Sequence, residues 1–155
     1  MRYFIADNFL TFWFRFIYKY MGYIESGGIN ILKDIVKRDY PTFSGIMLER
    51  YFRQKAIESG QYTQVGNYWD RKGENEIDII LINDVRKQIS IGEVKRNVHN
   101  IGARQLSDKI DHFLSVHPEL GEYQLTQLEL GLEEMWKISS TKKVIKMMKK
   151  KCKNF

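Results

Sequence analysis

Three charged residues, Asp78, Glu93 and Lys95, are set into stretches otherwise dominated by isoleucine, "EIDIILI" (residues 76–82) and "ISIGEVK" (residues 89–95). Side chains alternate across a strand, so Glu93 and Lys95, two apart, share a face. If the two stretches pair around the turn "NDVRKQ", Asp78 and Glu93 lie at similar distances from it, and cross-strand approach is allowed. Two carboxylates aimed at one point raise a pKa unless a hard divalent cation joins them. Mg²⁺ or Mn²⁺ held there polarises a phosphate oxygen. A neighbouring lysine then orients or deprotonates the attacking water and stabilises charge developing on the phosphate. Those are the parts of metal-dependent phosphodiester hydrolysis. The competing reading is an ordinary exposed ion pair at strand ends, worth under about 1 kcal/mol.

The elements that would position these residues follow from periodicity. The β-prone "QYTQVGNYWD", the turn "DRKGEN" and the two isoleucine-rich stretches form a three-strand meander. Ahead of it, "TFSGIMLERYFRQKAIES" places Met47, Leu48, Tyr51, Phe52, Lys55 and Ala56 at helical spacing, with Glu49 in the middle and Gly60 as a stop. Behind it, Leu106, Ile110, Phe113 and Leu114 mark an amphipathic helix over residues 101–116, and "EYQLTQLELGL" reads as a further strand. The order helix, three strands, helix, strand predicts a mixed α/β sandwich.

An aromatic layer precedes this core. "RYFIAD" reads as a short strand, and Asp7 or Asn8 caps an almost wholly apolar helix running to about Tyr23. "ILKDIVKRDY" reads as a short amphipathic helix ending before Pro41. The expected division is residues 1–40 as an aromatic-rich helical segment, 41–136 as the core and 137–155 as a basic tail. The apolar run of residues 8–24 is interrupted by Arg15 and Lys19 and falls short of the roughly 20 residues a membrane span needs. With no secretory signal pattern either, a cytoplasmic protein without membrane partners is expected.

Of the 155 residues, 43% are hydrophobic and 14% aromatic, enough for one core. The net charge of +6 comes from eight lysines in the tail, and the first 136 residues carry 17 basic against 19 acidic groups. Such a tail could meet DNA phosphates, whereas the body has no global positive field. The lone Cys152 rules out a disulfide framework, and His99, His112 and His117 lack zinc spacing.

The pattern Asp78 … Glu93-Val94-Lys95 resembles the PD-(D/E)XK nuclease superfamily, with Ile77 where the naming proline would stand. Four blocks, "YFIADNFLTFWFRFIYKYMGYIESG", "FSGIMLERYFR", "VGNYWDRKGENEIDIILI" and "GEVKR", resemble the C-terminal domain of archaeal-type ATPases of archaea and bacteria. This resemblance implies a restriction-endonuclease-like αβββαβ core with a mixed central sheet flanked by helices. It implies Asp78 and Glu93 as Mg²⁺ or Mn²⁺ ligands, Glu49 as a further acidic ligand, Lys95 as catalytic partner and Gln105 as a supporting polar group. It also implies DNA as substrate and an ATPase partner, because the chain itself carries no G-x-x-x-x-G-K-[ST]. A non-catalytic module that docks an ATPase or a second copy through the aromatic helix is the alternative.

Overall fold

Four strands form one mixed sheet in the computed structural model, which describes residues 5–138. The chain divides into two compact units between Met47 and Leu48. The basic tail expected over residues 137–155 lies almost wholly outside the described residues, as does most of the strand expected at residues 2–7, and the described residues 5–7 carry no strand.

In the first unit Asp7 caps α1 (Asn8–Phe12), its Oδ1 accepting from the Leu10 amide at 2.8 Å. The helix expected to run evenly to Tyr23 instead widens to a π-helical turn (Trp13–Ile17) and tightens to a 3₁₀ turn (Tyr18–Tyr20) before α2 (Met21–Glu25). Aromatic packing accompanies the departure. Phe12 and Phe16 set their rings 5.8 and 5.4 Å from Phe43, and Phe16 is fully buried. A π-turn shifts the side-chain register by a fraction of a turn. Phe9, Phe14 and Tyr18 remain exposed.

The helix break expected at Pro41 does not occur: α3 runs continuously over Ile29–Glu58 with Pro41 inside it. An internal proline costs about 3 kcal/mol through its missing N–H and its clash with the preceding turn. Burial of Phe43 beside Tyr40, Phe12 and Phe16, worth roughly 1.5–3 kcal/mol for such a ring, offsets most of that.

The second unit contains the sheet. Its strands are β1 (Gln64–Trp69), β2 (Glu76–Asn83), β3 (Gln88–Val94) and β4 (Gln124–Leu130), arranged in that order. The first three are antiparallel, and β4 returns parallel to β3 after α4 (Ala103–Val116). α5 (Leu132–Ile138) follows. Both faces are covered, so β2 and β3 are apolar almost throughout. Ile77, Ile80, Ile82, Ile89 and Ile91 pack with Leu106, Ile110 and Phe113 of α4. Ile79, Leu81, Val94 and Leu128 pack with Leu48, Phe52 and Ala56 of α3. The mixed α/β class and the order of core elements match expectation.

Two local features fix the sheet. Asp84 in the β2–β3 turn accepts from the Thr63 hydroxyl at 2.6 Å and the Tyr123 hydroxyl at 2.8 Å, tying the starts of β1 and β4 to the turn. These hydrogen bonds hold its carboxyl below the usual range. On β3, Gly92 lies where the β4 backbone comes so close that a Cβ would run into the Leu128 carbonyl. Gly92→Ala should therefore lower stability by about 1–3 kcal/mol, the cost of overpacking. Gly66→Ala on β1, where a Cβ meets open space, should change it far less. Urea midpoints of the two variants check this.

Candidate functional site

The site begins with a register error in β2. Gly66 pairs with Ile80 and Tyr68 with Ile77, so one β1 residue opposes two β2 residues, Asp78 and Ile79. This bulge puts Ile77 on the same face as Ile80 and Ile82 and releases Asp78 from the ladder. Pairing with β3 stops at Ile79 opposite Gly92. The Asp78 side chain then does what a ladder carbonyl would do, its Oδ2 accepting from the Val94 amide at 2.8 Å. Bulges commonly re-aim a side chain in this way.

Asp78 and Glu93 are 7% and 6% exposed, buried to the degree of the surrounding isoleucines. Burial at that level is costly for a carboxylate unless it is paired. Two ammonium groups supply the pairing. Lys95 Nζ stands 3.6 Å from Asp78 Oδ2 and 4.0 Å from Glu93 Oε2, bridging both. Lys109, on α4, donates to Glu93 Oε1 in a close hydrogen-bonded ion pair. The exposed-pair reading therefore fails for the acids, while Lys95 itself has a 44% exposed side chain.

Glu49 approaches from α3. Its Oε2 is 3.7 Å from Arg53 Nη1, which donates to the Asp78 carbonyl at 2.8 Å. Arg53 thus links the helix to the bulge. Burial raises the Glu49 carboxyl to about 7, the negative charge of Asp78 adds to the shift, and Arg53 opposes it. Glu49, Asp78, Glu93 and Lys95 therefore gather near one end of the central strands. Gln105 does not join them by any hydrogen bond: its side chain is exposed and lies over Gly102, where a Cβ would come 2.9 Å from its Oε1.

Lys109 and Arg53 are the residues that sequence reasoning missed. Lys109 is one helical turn beyond Gln105 and three residues past the buried Leu106, at the margin of the α4 apolar stripe, a position available to a spacing argument. Arg53 is four residues from Glu49 on the same helix face.

Among the described residues no three acids, histidines or cysteines gather as a ready metal cage. The donor chemistry nevertheless fits Mg²⁺ or Mn²⁺: Asp78 and Glu93 each offer a hard oxygen within 4.0 Å of the Lys95 ammonium. Mg²⁺ characteristically takes one or two carboxylates and completes its shell with water. A positive group, the Lys95 ammonium, already occupies the place between them.

A carboxyl with a raised folded-state pKa, such as that of Glu49, stabilises the fold least when ionised, so its contribution is intact below about 4.5 and is lost as pH rises through about 7. In chelator-treated protein, the native chain should lose about 1–3 kcal/mol relative to Glu49→Gln between pH 5 and pH 8. Denaturant midpoints across that range measure it.

Known proteins place these residues in a family context. An uncharacterized protein of Methanocaldococcus jannaschii is 36% identical over 101 residues, which is 61% of this chain and 22% of that protein. The chain thus spans about a fifth of that relative's length. No solved structure matches the chain, and among the described residues no helix is long and apolar enough to cross a membrane. Residues 13–106, a stretch that includes Glu49, Asp78, Glu93 and Lys95, match one family over more than half of the chain. The chain belongs to the DUF234 family, archaeal and bacterial proteins of unknown function.

Proposed function

We propose that the second unit is a metal-dependent, PD-(D/E)XK-like nuclease domain, restriction-endonuclease-like in its αβββαβ core, that hydrolyses DNA phosphodiester bonds. One observation carries the reading: two buried carboxylates, Asp78 and Glu93, both face the half-exposed ammonium of Lys95 where β2 and β3 part, while Lys109 holds the other oxygen of Glu93.

In this reading Asp78 and Glu93 hold Mg²⁺ or Mn²⁺, which when bound supplies Lewis-acid polarisation of a phosphate oxygen. Lys95 orients the attacking water and meets the negative charge that grows on the phosphate. Glu49, with a carboxyl near neutrality, assists by accepting a proton or completing the ligand set. Lys109 keeps Glu93 in position through its other oxygen. The likeness to the C-terminal domain of archaeal-type ATPases makes an ATPase the expected partner. The chain's length relative to the M. jannaschii protein agrees with such a domain belonging to a larger assembly.

Supercoiled plasmid and single-stranded DNA, incubated with Mg²⁺ or Mn²⁺, test the assignment. Cleavage should fall by about 100-fold or more in Glu93→Ala and Lys95→Ala. Cleavage that persists in both variants would mean that the nuclease lies elsewhere.

A second reading rests on the first unit. Phe9 and Tyr18 are 67% and 63% exposed, a surface that suits a docking role, so the chain would be a non-catalytic module that binds an ATPase or a second copy of itself. Light scattering of a protein that fails to cleave DNA should then show a stable dimer, and Phe9→Ser with Tyr18→Ser should return it to monomer.

A further inference from the structure

Glu93 divides its two oxygens between unlike partners. Oε1 takes a hydrogen bond from Lys109, whose side chain is largely covered. Oε2 faces Lys95 at 4.0 Å, and Asp78 Oδ2 faces the same ammonium at 3.6 Å. Both distances exceed hydrogen-bond range, so Lys95 is held there by charge alone. The Lys95 backbone is fixed, its amide donating to the Leu130 carbonyl at 2.9 Å, while its side chain is the most exposed of the four charged groups in the cluster. A tethered stem with a loosely held head group can leave without disturbing the strand.

We propose that Lys95 is the resident counter-ion of the site: its ammonium occupies the cation position between Asp78 and Glu93, and a divalent cation binds by displacing it. The displaced ammonium, on a stem whose backbone amide is anchored to the Leu130 carbonyl and so unable to go far, is then delivered to the phosphate. Metal binding and presentation of the lysine become one event. Lys109 stays on Glu93 throughout and keeps that carboxylate from swinging after Lys95. The inference rests on the metal-site reading above and adds a competition that the reading does not require.

Competition has a definite sign. Removing the competing charge should tighten cation binding, even as it removes the group that serves the phosphate. Mn²⁺ titration of the full chain without DNA, followed by electron paramagnetic resonance at pH 8, compares the native protein with Lys95→Met and Lys95→Arg. Lys95→Met should bind Mn²⁺ about tenfold or more tightly, the scale expected for removing one charge about 4 Å away in a partly solvated site. Lys95→Arg should bind close to the native level, and thermal melts confirm that each variant folds.

If the native chain binds Mn²⁺ through Asp78 and Glu93, with binding lost in Asp78→Asn and Glu93→Gln, but Lys95→Met binds no tighter, the counter-ion role is overturned and the metal site stands. If Mn²⁺ binding is absent or indifferent to Asp78 and Glu93, the metal reading fails and the inference with it.

Discussion

The hydrogen bond from the Val94 amide to the Asp78 carboxylate is the contact on which the rest of the site depends. It replaces a strand-to-strand bond at the one place where β2 and β3 part. Without it, the buried Val94 amide would lose its partner and the Asp78 carboxylate would keep only the charge of Lys95, at a cost of roughly 1–3 kcal/mol. With it, the strand ends stay close enough for Lys95 and Glu93 to reach the same point. The bulge is therefore what turns an apolar sheet into a place where charge can be kept.

Charge balance at that point is local rather than global. Two acids from β2 and β3 meet lysines from β3 and α4, and Arg53 from α3 binds the bulge carbonyl while facing Glu49. The cluster is balanced by residues of the described core alone, whereas the +6 net charge of the sequence comes from its last 19 residues. Screening by salt weakens exposed pairs first. Within this cluster, it acts on Lys95 before it acts on the Lys109–Glu93 pair.

Much of the fold could be read from spacing. Alternation in "EIDIILI" and "ISIGEVK" and the i, i+4, i+7 recurrence in α4 each reflect a single dominant period. The pairing of Asp78 with Lys95 was accessible for the same reason. What escaped is what period cannot encode. The bulge adds one residue to β2 with no composition signal, and it decides where Asp78 points. Pro41 argued locally for a helix end, but the tertiary packing of Phe43 against Phe12 and Phe16 prevailed. The π-turn at Trp13–Ile17 carries Phe16 into the same packing. Lys109 was passed over because an ion pair between a strand and a helix that follows it depends on how the helix lies across the sheet.

The parallel pairing of β4 with β3 has a kinetic meaning. The hairpin of β2 and β3 closes over a short turn and brings Asp78 to Lys95, but Glu93 and Lys95 gain their remaining partners, Lys109 on α4 and Leu130 on β4, only from further along the chain. Contacts of long sequence separation form late, because the entropy of closing the intervening loop must be met first. A nascent chain can therefore own the sheet's first three strands and still lack a working arrangement of charges. The charged cluster of this domain is thus completed with the last strand rather than with the core.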